Sequence, residues 1–154
     1  MTQNFKNKDK FYDICKDYIE KKQFNINGII YLYDPDENGN EYEYEYVHEQ
    51  EKPGELKIHD LNTTNLLYES IYNKHEEVTK YLLDNKADPN MYRKNGFIYE
   101  RPLEIAIKFK LYNSVKLLLE AKTNIHSNIH TPAHASPLLL AAEYGHYTCI
   151  KLLI

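Results

Sequence analysis

The residues SPLLLAAEYGHYTCIKLLI, Ser136 to Ile154, read as two short helices joined by a glycine turn. Pro137 opens the first helix, where its missing N–H would have no helical partner anyway. Gly145 and His146 mark the break before the second. The pattern stands twice more upstream, as NLLYESIYNKHEEVTKYLLDNKADPN from Asn65 and RPLEIAIKFKLYNSVKLLLEAKTNIH from Arg101. The starts are 36 and 35 residues apart, and Lys80, Lys116 and Lys151 fall at one place in each unit. Self-similarity at a fixed period of this length is the signature of a repeat architecture.

Within a unit the apolar residues keep helical spacing. In the second, Leu103, Ala106 and Ile107 line one face and Val115, Leu118 and Leu119 line the next, at i, i+3 and i+4. Near the N-terminus, Phe11, Ile14, Cys15, Tyr18 and Ile19 keep the same spacing. FNIN follows them, similar in kind to the ADPN and TNIH that close later units. Residues 8–27 therefore read as the second half of a degenerate first repeat. Asp13, Lys16, Asp17, Glu20 and Lys21 supply the polar outer face that an end cap needs.

SPLLLAAEYGHYTCIKLLI resembles the TPLHLAA…GH…VVKLLL pattern of ankyrin repeats, and LLDNKADPN and LLLEAKTNIH resemble the family's LLL…GADVN ending. The resemblance covers Asn65 to Ile154. It implies a mainly α fold, a solenoid of paired antiparallel helices, which binds proteins through finger-like loops and its inner-helix face and rarely carries catalysis. The sequence departs from the family at the histidine of TPLH, which is Tyr68, Glu104 and Leu139 here. The periods exceed the family's 33, implying longer loops. The division expected is a finger and return over 28–62, repeats over 63–100 and 101–135, and an incomplete repeat over 136–154. KLLI stops inside a helix, so a fragment of a longer protein is expected, carrying more repeats or a further domain, or else something packs on that end.

Between the first helix and the repeats lies DPDENGNEYEYEYVHE, Asp34 to Glu49. Asp34, Asp36, Asn38, Gly39 and Glu45 match a calcium-loop pattern. That chemistry needs Glu45 folded back onto the ion. The alternation of EYEYEY instead predicts a strand, which would carry Glu45 roughly 15 Å or more beyond Asn40. The strand reading pairs residues 29–33 with 41–48 as a long β-hairpin insertion turning at Asn38-Gly39. With paired positions summing to 77, Tyr31 faces Tyr46 and Tyr33 faces Tyr44, with Tyr42 on the same face. That tyrosine face either packs on the chain's own helices or binds a partner. A weak cation site on Asp34, Asp36 and Asn38 stays open, and with it a calcium- or metal-responsive reading.

Composition sets further bounds. The net charge is −4, yet Asp34 to Glu55 holds nine acidic residues against one Lys, a net of −8 that leaves +4 on the rest. A nucleic-acid-binding surface is not evident, and the apolar runs are too short to span a bilayer. With no signal-type leader, the expected location is the cytoplasm, or a host's cytoplasm if the source is an intracellular pathogen or virus. Cys15 and Cys149 lie at apolar helical positions and read as small core residues. His126, His130 and His134 are four apart, but Pro132 argues against a helix that would gather them on a metal. His75 and His146 sit at inter-helix turns and read as structural. No phosphate loop, nucleophile elbow or kinase signature occurs.

The resemblance implies a protein–protein interaction module as the expected function, with no cofactor and no enzymatic site expected, and nothing points to a small-molecule substrate. Candidate contacts are Tyr31, Tyr33, Tyr42, Tyr44 and Tyr46 on the long finger and Tyr92, Arg93, Phe97 and Tyr99 on the second, since Tyr and Arg are frequent interface anchors. The binding portion of a longer enzyme or effector is the remaining alternative.

Overall fold

The computed structural model describes residues 7–20, 30–32, 44–46, 62–95, 98–126 and 136–154. Helix α1 (Lys8–Glu20) precedes three helix pairs: α2 (Leu66–Tyr72) with α3 (Glu76–Asp84), α4 (Pro102–Lys108) with α5 (Tyr112–Glu120), and α6 (Pro137–Glu143) with α7 (Tyr147–Leu153). The pairs stack into two columns. First helices pack as α2 on α4 on α6, and second helices as α1 on α3 on α5 on α7. The N-terminal helix thus stands where the second helix of a preceding unit would stand. Phe11 and Cys15 are fully buried on α3's side, while Asp13, Lys16, Asp17 and Glu20 are exposed.

The helical faces meet as the spacing requires. Leu103, Ala106, Ile107, Val115 and Leu118 are buried, with Leu67, Ile71, Val78 and Leu82 one unit earlier and Ala141 and Cys149 one unit later. Within the first pair, Ser70 Oγ and Thr79 Oγ1 share a hydrogen bond of 2.9 Å in the dry interface. Between units, Asn90 Oδ1 accepts from the Asn124 N–H at 2.7 Å and from Thr123 Oγ1 at 3.3 Å, tying one post-helix loop to the next.

Each first helix ends in a Schellman motif. In α2 the Lys74 N–H donates to the Ile71 carbonyl and the His75 N–H to the Ser70 carbonyl. Lys110 and Leu111 do the same after α4, and Gly145 and His146 after α6. The motif places one residue in the left-handed region. Gly145 takes it at φ 66°, whereas Lys74 and Lys110 take it at 61° and 58°. Lys86 and Lys122 repeat the conformation after α3 and α5, at 71° and 61°.

The strands β1 (Ile30–Leu32), β2 (Tyr44–Tyr46), β3 (Asn62–Thr64), β4 (Arg93–Asn95) and β5 (Ile98–Glu100) form one antiparallel sheet in the order β2-β1-β3-β4-β5. Two expectations change here. The long hairpin is not shown: β1 and β2 have three residues each, and 33–43 and 47–61 lie outside the described residues. The register also differs, because Ile30 pairs with Tyr46, Tyr31 with Glu45 and Leu32 with Tyr44. The paired positions sum to 76 rather than 77. A slip of one residue changes every cross-strand partner, so the Tyr31–Tyr46 pair is not formed. β3 pairs with both neighbours and joins the N-terminal strands to the later finger.

Candidate functional site

The finger β4–β5 lies against the first-helix column, and the contact is made by rings and cations. Arg93 on β4 sets its guanidinium carbon 5.4 Å from the ring centre of Tyr68 and 5.6 Å from that of Tyr72, both on α2. Such distances are within cation–π range. The Tyr72 ring lies 5.7 Å from Phe109 at the end of α4, and Lys74 Nζ lies 5.5 Å from the centre of the Phe109 ring. At the base of the finger, Tyr92 and Tyr99 meet edge to face at 5.2 Å. Tyr72 and Phe109 remain substantially exposed, so the strip presents aromatic surface outward, and Tyr92 is exposed on the finger itself.

Beneath it a polar chain fixes the geometry. Tyr68 is fully buried, and its hydroxyl donates to Glu100 Oε2 at 2.8 Å. Lys108 Nζ donates to Glu100 Oε1 at 2.7 Å. The Tyr68 hydroxyl also lies within hydrogen-bonding reach of Arg93. Burial pushes the Tyr68 phenol far above its ordinary value, and the Glu100 carboxylate adds to the effect. For Glu100, burial acts upward, but the bonds from Lys108 and Tyr68 and the charges of Lys108 and Arg93 outweigh it and hold the carboxyl below its usual range. Glu69, buried behind the strip, goes the other way. Burial raises its carboxyl, only partly offset by the Thr64 hydroxyl at 2.8 Å, the Arg93 charge and the Asn73 amide. Among the described residues the Arg93 Nε–H is itself buried with no acceptor.

The histidine positions of the repeat have found other partners. Tyr68 braces β5 through Glu100. Glu104 reaches back to the Arg101 N–H at 3.0 Å and binds the Arg101 guanidinium, which in turn donates to the Asn124 carbonyl at 3.0 Å. Leu139 is half exposed.

Of the finger residues expected to make contacts, Arg93 joins the strip on the helix side, while Tyr92 and Tyr99 meet each other on the opposite face of the finger, where Tyr99 pairs with Lys94 and Glu100 pairs with Arg93; Phe97 lies outside the described residues. Tyr31, Tyr44 and Tyr46 stand in β1 and β2. Tyr33, Tyr42, Asp34, Asp36 and Asn38 lie outside the described residues, as do His130 and His134. One register row runs through all five strands, Glu45–Tyr31–Thr63–Lys94–Tyr99, so Tyr31 and Tyr99 stand in one line across the sheet. Sequence reasoning missed Tyr72, Phe109 and Lys74. The available signal was their place at the ends of first helices, where an aromatic adds nothing to the buried i, i+3, i+4 face. Among the described residues, no group of three or more His, Cys, Asp or Glu is placed to hold a metal ion. None of the described helices is long and apolar enough to cross a membrane.

Stacked helix pairs with finger loops beside the first-helix column define a helical-repeat solenoid. The family model for ankyrin repeats (3 copies) matches residues 37–131, more than half of the chain, and the protein belongs to the ankyrin-repeat family. Members are generally protein–protein interaction modules and typically non-enzymatic. The match ends before α6 and α7, which repeat the geometry of the pairs before them. No curated protein matches the chain.

Proposed function

We propose that this protein binds a partner protein along the strip running from Arg93 through Tyr72 to Phe109, with Tyr92 and Tyr99 a second contact on the other face of the finger, and acts as a regulator or effector of that partner. The observation that carries this reading is the series of ring and cation contacts linking Arg93 of the finger to two consecutive first helices. Tyr and Arg anchors held by their own neighbours lose little freedom on binding. A rigid stack that displays such side chains in a row needs no rearrangement to engage a ligand.

The long-finger tyrosines extend the same proposal. Tyr31 shares a register row with Tyr99, which supports a second contact surface that continues from the Tyr92–Tyr99 pair onto β1 and β2. Quantitative capture of a binding partner by wild type, by Tyr72→Ala/Phe109→Ala and by a deletion of residues 34–46 sorts the two parts. Loss in the double variant with retention in the deletion places the contact on the helices. Retention in both ends the proposal.

A further inference from the structure

We infer that the strip takes an acidic peptide segment, with one carboxylate at Arg93, a second at Lys74, and an apolar or aromatic side chain laid over Tyr72 and Phe109 between them. This rests on the reading that the strip is the partner-binding face. The argument is one of charge already used and charge left over. Among the described residues, the two carboxylates beside the strip are engaged internally: Glu100 holds Lys108 and the Tyr68 hydroxyl, and Glu69 holds Thr64 and Asn73. The cations that remain meet ring faces instead. Arg93 stands over Tyr68 and Tyr72, Lys74 stands over Phe109, and among the described residues neither makes an ion pair.

Contact with a ring face orients a cation without neutralising it. Among the described residues the Arg93 Nε–H is buried without an acceptor, and the Tyr68 and Tyr72 rings with the Tyr68 hydroxyl hold the guanidinium in place. Its planar fork matches a carboxylate in shape as well as sign. A phosphate fits less well, because Glu69 and Glu100 both lie near enough to act on Arg93 and would repel a second negative charge more than a first. Between the two cations lie Tyr72 and Phe109, both part exposed, whose apolar surface water covers poorly and an apolar side chain covers well. The ligand pattern is therefore acid, apolar, acid.

Random dodecapeptides displayed on phage are selected on the full chain, on Arg93→Gln/Lys74→Gln and on Tyr72→Ala/Phe109→Ala, with thermal unfolding recorded for each. Where Arg93→Gln lowers the unfolding temperature, Lys74→Gln alone and the salt dependence of the wild-type complex give the same readout. The expected result is enrichment on wild type of net-negative peptides with an aliphatic or aromatic residue between acids. Their affinity falls about tenfold or more on Arg93→Gln/Lys74→Gln and on raising salt well above the physiological range. Neutral or basic peptides that still need Tyr72 and Phe109 overturn the acidic ligand while leaving the binding face standing. Peptides that bind Tyr72→Ala/Phe109→Ala as tightly as wild type overturn both. No enrichment over the Tyr72→Ala/Phe109→Ala control overturns the acidic ligand.

Discussion

Arg101 Nη2 lies 2.8 Å from Glu104 Oε1 in a pair whose side chains are only 4 % and 3 % exposed. Glu104 occupies the repeat position where the resemblance implies a histidine. It ties the start of α4 to its own cap, and Arg101 carries the tie on to the Asn124 carbonyl after α5. A buried pair that loses one member leaves the other charge unpaired, at a cost of about 3–5 kcal/mol. Glu104→Ala is therefore expected to lose about that much in urea unfolding. Arg101→Met/Glu104→Leu removes both charges and is expected to recover most of the loss. A small effect of Glu104→Ala would show that the pair is not the brace the geometry indicates.

The lysines at the helix ends give a prediction of opposite sign. A left-handed residue with a Cβ costs roughly 1–2 kcal/mol, and glycine returns part of this gain through its greater freedom in the unfolded chain. Lys110→Gly and Lys122→Gly should each stabilise by about 0.5–1 kcal/mol, read as a rise in the denaturant midpoint at unchanged slope. Gly145→Ala meets no atom within 4 Å, so its cost comes from φ 66° alone and should be about 1 kcal/mol. Equal midpoints for Lys110→Gly and wild type would mean that the turn tolerates lysine at no cost.

These lysines also show what the sequence conceals. The helix pairs were legible because Leu103, Ala106, Ile107, Val115 and Leu118 repeat with one period, and Pro102 and Pro137 announce the helix starts. The turns were legible at Gly145 but not at Lys74 or Lys110, since nothing in a lysine signals a left-handed backbone. Glu104 was visible only as a missing histidine, because its partner Arg101 declares itself through packing. The sheet was the hardest part. β3 is held by neighbours distant in sequence, and the register of β1 on β2 differs by one residue from the one the Asn38-Gly39 signal favoured. In the site, Tyr92, Arg93 and Tyr99 were legible as anchor types. Tyr72 and Phe109 required knowing which helices face the finger.

Stability should depend on pH through Glu69 and Glu100 in opposite ways. The Glu69 carboxyl is raised in the fold. Its contribution is fully present below the ordinary carboxylate range and is lost as pH rises through the raised value. Glu69→Gln should therefore raise the unfolding temperature near pH 7 more than near pH 4. Glu100 is lowered in the fold, so its contribution is present above the ordinary range and is lost as pH falls through the lowered value. Glu100→Gln should cost stability near pH 7, with the deficit shrinking as pH falls toward about 3. Parallel stability–pH curves for either variant and wild type would contradict these assignments.

Cys15 is fully buried, and burial pushes its thiol up to about 12. A thiol in that state is neither accessible nor ionised near neutral pH. In a chain carrying Cys149→Ala, an aromatic disulfide reagent near pH 8 should leave Cys15 unmodified in the folded state and label it fully in urea. Rapid labelling of the folded chain would show that α1 does not stay docked on α3.

The partner-binding role of the strip is tested most directly by site-specific photo-crosslinking in an extract of the source cell. A benzophenone side chain placed at Phe109, on the strip, is compared with one at Lys116, exposed on α5 in the other helix column. The account predicts a discrete adduct from position 109 that an excess of wild-type protein competes away, and none from position 116. Adducts of equal strength from both positions, or from position 116 alone, would contradict it.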